Sequence, residues 1–171
     1  YYLSELLASD DENVPASVRD AVLARAARLG EEGRQTLDIA AVVGTRLELS
    51  VLNAVAGVTA NGLDECLRTG LLVESDGALA FRHDLARLAI SAALTPHRRT
   101  ALHAAVLLVL AGSSDDARLA HHADLAGDAD AVLRHAPAAA VAAARVGAHI
   151  EAAQQYRRAV RHAAGLPLRD R

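Results

Sequence analysis

The stretch Leu71–His83, "LLVESDGALAFRH", decides how this chain is read. Two short apolar runs flank Ser75-Asp76-Gly77, and Asp-Gly between such runs is a strong hairpin signal because both residues tolerate positive φ. Everything before and after the stretch reads as helix. Upstream, "VPASVRDAVLARAARL" opens with Pro15 at a first helical position and repeats apolar residues at Val14, Val18, Val22 and Leu29. Gly30 and Gly33 are read as separating it from a second helix, Arg34 to Val43. A third helix is expected from about Glu48 to Ala56 and a fourth from about Ala60 to Thr69, stopped by Gly70. Several helices followed by a β-hairpin describe a winged helix.

Downstream of the hairpin the 3.6-residue period returns. Asp84 is read as the N-cap of a helix through Ala93, and Thr95-Pro96 as cap and first-turn proline of a helix through about Ala111. From Asp115 onward helices pair across Gly127 and Gly147. In "GAHIEAAQQYRRAV", Gly147, Ala152, Tyr156 and Ala159 are spaced like the second half of a tetratricopeptide repeat (TPR), with small alanines where helices close and an aromatic for the next groove. Ala140 suits the small position of the preceding helix. The expected architecture is mainly α, a winged-helix domain with a small β-hairpin followed by TPR-like antiparallel helical hairpins. The expected divisions are 1–13, a short apolar helix with the acidic linker "SDDEN"; 14–95, the winged-helix domain; and 96–171, the helical-repeat arm.

Composition agrees with helices. About half of the 171 residues are apolar, dominated by Ala, Leu and Val, with one Phe, three Tyr and no Trp. Ala and Leu lose little side-chain freedom in a helix. All 18 basic residues are Arg, so no lysine can grip a phosphate, form a Schiff base or act as a base. A net charge of −3 with mixed signs gives no field for nucleic acid and no polybasic membrane patch. The longest apolar run, from Ala104, is too short to span a bilayer. No basic leader opens the chain, and the lone Cys66 excludes an internal disulfide, so a reducing cytoplasmic setting is expected. The start without Met suggests a piece of a longer protein.

No phosphate loop, nucleophile elbow or paired catalytic acids are visible, and a non-enzymatic chain without cofactor is expected. Glu31-Glu32, Asp64-Glu65 and Asp115-Asp116 read as solvated helix starts, where acids favour the dipole, and Asp124 and Asp128 read as exposed. The helix Ala60–Thr69 carries two acids and one Arg, unsuited to DNA. Cys66 shares a stripe with Leu63 and Leu67 and reads as a core thiol. His121 and His122 point about 100° apart on a helix, with His122 on the Leu119, Ala123 face, so no metal site is expected. His103 is expected to pack or hydrogen-bond between the helices after the hairpin.

The order of "YYLSELLA", "VPASVRDAVLARAARL", "AAVVG", "LDECLRTGLL", "FRHDLARLAI", "HRRTALH", "LAHHADLAGD" and "GAHIEAAQQY" resembles large ATP-binding LuxR-type transcriptional regulators of actinobacteria. These are relatives of the maltose regulator among the signal-transducing ATPases with numerous domains. The resemblance implies an upstream ATPase core, which would bind ATP or ADP and whose lid would end in residues 1–13, and a downstream DNA-binding domain. It makes this segment a non-catalytic coupler whose helical arm meets a small-molecule or protein effector, with no nucleic-acid contact of its own. It also implies a role for Arg82-His83-Asp84. Related ATPases of plant immunity and apoptosis carry Met-His-Asp at the end of the winged helix, its His reaching the β-phosphate of ADP. Here Arg82 replaces Met and adds a possible phosphate donor, His83 takes the sensing place, and Asp84 would cap the helix and orient the imidazole. The alternative for Phe81 and His83 is a structural corner, and the alternative for the chain is a free-standing TPR-like protein-interaction scaffold.

Overall fold

A computed structural model describes residues 16–75 and 77–164. The helix expected before the acidic linker, the place of Val14 and Pro15, and Asp76 of the turn lie outside them. The described elements are α1 (Ala16–Ala26), α2 (Glu31–Val43), α3 (Leu49–Ala54), α4 (Ala60–Arg68), β1 (Leu72–Ser75), β2 (Ala78–Phe81), α5 (Asp84–Ala93), α6 (Pro96–Val109), α7 (Asp116–Ala126), α8 (Ala129–Arg145) and α9 (His149–Ala163). The protein is mainly helical with one small antiparallel sheet. It divides into two compact units, Tyr1–Arg98 and Arg99–Arg171, a boundary three residues beyond the expected one.

In the first unit α2 crosses α4 at close range. Gly33 does not break the helix, as the sequence reading supposed; it lies inside the first turn of α2 and is buried. The reason is tertiary. Gly62 of α4 faces α2 so closely that a Cβ there would lie 2.6 Å from Glu32 O, a backbone atom that cannot swing aside, and would also strike Thr36 Oγ1. A Cβ on Gly33 would meet the Glu65 side chain. Cys66 Sγ donates to Gly33 O at 3.3 Å, filling the remaining gap with sulfur.

The same crossing corrects the reading of the acids. Glu32 Oε2 accepts from Thr59 Oγ1 at 2.8 Å and Asn61 Nδ2 at 3.1 Å, at the start of α4. Those hydrogen bonds, Thr59 first and Asn61 second, hold the Glu32 carboxyl below its ordinary range. Glu65 Oε2 accepts from Gly30 N at 2.9 Å, at the start of α2. Each helix thus lends an acid to the start of the other, Glu65 to a backbone N–H and Glu32 to the Thr59 and Asn61 side chains, where the dipole favours negative charge. Thr59 itself caps α4 by accepting from Gly62 N.

The hairpin forms as read: β1 pairs β2 antiparallel with Leu72 opposite Phe81 and Ser75 opposite Ala78, and Gly77 takes φ +75°. One feature escaped the sequence. Leu47 exchanges both backbone hydrogen bonds with Leu79, at 2.9 and 3.1 Å, so a single residue before α3 bridges the other edge of β2. Leu37, Ile39, Leu47, Leu52, Leu72 and Leu79 close the core beneath it. α5 then packs on α1 and α2.

In the second unit α8 pairs with α7 and α9. Gly127 (φ +76°) and Gly147 (φ +78°) take the left-handed conformation at the two turns, as their sequence positions imply. The core is built of small side chains, Ala120, Ala123, Ala131, Val132, Ala136 and Ala159, with Leu107 and Leu133 against it. Ala140, Ala152 and Ala159 are buried as expected, whereas Tyr156 is 47% exposed and fills no groove. Among the described residues no helix is long and apolar enough to cross a membrane.

Two substitutions test these close approaches. Gly62→Ala should destabilise by about 1–3 kcal/mol, because it must displace Glu32 O rather than a movable side-chain end. Ala152→Leu should overpack the buried face of α9 by a similar amount, roughly 1–3 kcal/mol. Chemical denaturation of each variant measures both, and an unchanged midpoint would mean that the helices separate freely at that point.

Candidate functional site

The chain leaves the hairpin through Phe81, Arg82 and His83. Phe81 is buried at 8% exposure, so this end of the hairpin is anchored in the core. Arg82 continues the ladder through its N–H to Leu71 O at 3.1 Å, and its Nε donates to Gly70 O at 2.9 Å. Gly70, at φ +68°, lies under the guanidinium. His83, not Asp84, is the N-cap of α5: its backbone is extended (φ −140°, ψ 131°), its carbonyl accepts from Ala86 N at 2.8 Å, and its side chain makes no capping bond. Asp84 is the first helical residue, and its Oδ1 pairs with Arg87 Nε at 2.7 Å. The expected cap and imidazole-orienting role of Asp84 are therefore replaced by an i,i+3 pair along the helix. The side chains of Arg82, His83 and Asp84 are all exposed.

Arg82 and His83 border a cleft of about 310 Å³ between α1 and the start of α5. Across it stand Ser17, Val18, Val22 and Arg25 of α1. Arg25 is a cationic lining residue that sequence reasoning missed, because only the packing of α1 on α5 brings it opposite the end of the hairpin. Two guanidiniums and an imidazole beside the N-terminus of a ten-residue helix suit an anion. Asp84 in the first turn opposes that field in part. A second cavity of about 320 Å³, also in the first unit, lies among Leu23, Leu37, Ile90 and the Asp38–Arg98 pair. Arg98 Nε meets Asp38 Oδ2 there at 3.3 Å; burial raises the Asp38 carboxyl above its ordinary range despite that partner.

The remaining reactive groups are accounted for by structure. Cys66 is buried, and its thiol is pushed up to about 12, by burial first and by Glu65 second, which makes it a poor nucleophile. His122 lies on the buried face as read, and His103 meets it: the two Nδ1 atoms are 2.9 Å apart, with both residues at or below 2% exposure. His121 lies edge-on to both rings. Burial is the first cause that lowers both His103 and His122 well below the histidine norm, with His121 next. Among the described residues no group of three or more ligating side chains is arranged to hold a metal.

Asp124 departs from its reading as an exposed acid. Its carboxylate is 18% exposed and takes three partners from α9: Arg158 at 2.9 Å, Arg161 at 3.0 Å and His162 at 2.8 Å. Burial pushes its carboxyl upward, but the hydrogen bonds from His162 and Arg158 outweigh that and hold it below its ordinary value. Asp116, likewise, is 2.7 Å from His135 of α8. Asp115 and Asp128 cap α7 and α8 through Arg118 N and Ala131 N.

No protein-family model, no curated protein and no solved structure matches the chain.

Asp124→Asn keeps the shape and removes the charge that gathers Arg158, Arg161 and His162, so it should destabilise the second unit by about 1–3 kcal/mol. Because the folded carboxyl titrates below its ordinary value, this contribution is present above about pH 4 and is lost as pH falls through the folded pKa. Asp84→Asn, at an exposed i,i+3 pair, should change stability by less than about 1 kcal/mol. Thermal melts at pH 7 and pH 3 distinguish the two carboxylates; equal effects would remove the special place of Asp124.

Proposed function

We propose that the chain is the regulatory segment of an ATP-dependent LuxR-type transcriptional regulator, coupling the nucleotide state of an upstream ATPase core to effector sensing by a helical arm. The observation that carries this reading is the cleft at the wing exit, where Arg25, Arg82 and the exposed His83 converge beside the start of α5. An exposed imidazole at that corner is what an anion-sensing role requires and what a purely structural corner does not. The first unit supports a winged-helix reading: α2, the Leu47 bridge, α3, α4 and the two-stranded wing follow in that order. The left-handed glycines and buried alanines of α8 and α9 support a TPR-like arm in the second unit. Within this reading the segment is itself non-catalytic and cytoplasmic, ATP or ADP is held by the ATPase core, and DNA is contacted elsewhere.

A second reading rests on α9. Ile150, Tyr156 and Val160 are 73%, 47% and 67% exposed along this helix. Exposed apolar side chains of that kind suit a TPR-like scaffold that binds a partner peptide.

His83→Ala in the full-length regulator separates the two. A hydrogen bond to a charged phosphate contributes about 1.5–3 kcal/mol, and a contact made only in the ADP state biases the switch by that amount. The variant should release ADP roughly tenfold faster or more and raise inducer-independent transcription, with its melting temperature unchanged. Unaltered ADP retention and basal output would leave the scaffold reading in place. The segment alone, which has no phosphate loop, should show no micromolar ADP binding by calorimetry.

A further inference from the structure

We propose that the His103–His122 pair is a proton-operated latch that holds α6 against α7 within the second unit and opens when both imidazoles are protonated. Two ring nitrogens of the same kind, Nδ1 and Nδ1, face each other at 2.9 Å. Such a bridge holds one proton, with one ring donating and the other accepting. A first added proton goes to the free Nε2 of the donating ring and leaves the bridge intact. A second must go to the accepting Nδ1, and then two N–H groups point at each other across the same gap. Loss of the bridge is therefore built into its geometry as a two-proton event.

The surroundings offer no relief to an imidazolium. The groups bearing on the pair are Arg99 from α6, and Arg118 and His121 from α7. α6 carries no Asp or Glu along its whole length. The carboxylates of α7 are engaged on other sides: Asp116 by His135 of α8, and Asp124 by Arg158, Arg161 and His162 of α9. Asp115 and Asp128 serve as helix caps, and the remaining charged residues of α8 and α9 include Asp130, Arg134, Arg145, Glu151 and Arg157. Acidification thus gathers like charge around a site whose two rings are almost fully buried. Leu102 and Val106, buried on α6 beside His103, would be uncovered with it.

The sign follows from the closed state. With both rings buried and neutral, the closed latch resists protons that the open one takes up at the ordinary histidine value of 6.5. Opening therefore consumes protons. It is disfavoured above about pH 6.5 and becomes easier as pH falls from there toward 4, where His103 titrates in place. Each imidazole contributes up to about a tenfold rise in the opening constant per pH unit, and the pair up to about a hundredfold.

The test uses the full chain. Imidazole Cε1–H resonances are followed by NMR from pH 7.5 to 4, together with hydrogen exchange of the α6 and α7 amides corrected for intrinsic rate. The expected result is that His103 and His122 remain neutral at pH 6 and that α6 loses protection steeply, by more than tenfold per unit, below it. His103→Leu/His122→Leu should flatten that dependence while keeping its helicity at pH 7. Ordinary titration of both rings near 6.5 with protection intact would overturn the latch. So would the same acid opening in the double variant, since the carboxylate clusters would then be its cause. If the double variant fails to fold, the titration and exchange of the unaltered chain decide the matter by the same two outcomes.

Discussion

The crossing of α2 and α4 at Gly62 is the constraint on which the first unit depends. Gly62 lets the two backbones come close enough for Cys66 to reach Gly33 O, for Glu65 to accept from Gly30 N, and for Glu32 to accept from the Thr59 and Asn61 side chains. The contact fixes the position of α4, whose end, through Gly70 and Leu71, fixes where the hairpin begins. Arg82 returns to Gly70 and Leu71 with two hydrogen bonds. The cleft at the end of the hairpin is thus held by a chain of contacts that starts at a missing methyl group.

Much of the secondary structure was legible because its signals are local. The Asp-Gly hairpin signal, the stop at Gly70 and the glycines at 127 and 147 each act within a few residues, so a single sequence displays them. Gly33 shows the limit. A glycine between two helical patterns reads as a break, and only the partner helix reveals that it is a contact point. Leu47 could not be found either, since one bridging residue has no period. Asp84 was misplaced by a single position, enough to exchange a cap for an ion pair with Arg87.

The candidate site was legible in part for the same reason. Arg82 and His83 are adjacent in the chain and sit at a recognisable junction, whereas Arg25 reaches the cleft from a helix some sixty residues earlier. The buried histidines illustrate a subtler loss. Helical periodicity placed His122 on the inner face, and His103 was expected to pack or hydrogen-bond between these helices, but that the two would pair with each other depends on how α6 and α7 cross. Asp124 was read as solvated because charge alone does not say whether a later helix will bring its counter-ions back to it.

The alanine-built core of the second unit has a consequence for alignment. Bulky side chains interlock, so helices that carry them cannot slip past one another; surfaces of Ala120, Ala123, Ala136 and Ala159 are nearly smooth and offer little resistance to sliding. Something else must set the register. The three side chains that converge on Asp124 belong to residues 158, 161 and 162, little more than one turn of α9, and a shift by a single turn, about 5.4 Å, would break the set up, leaving at most the member one turn along in the vacated place. Here polarity acts as the ratchet tooth and the apolar core as the bearing, the reverse of the usual division of labour in a helical hairpin.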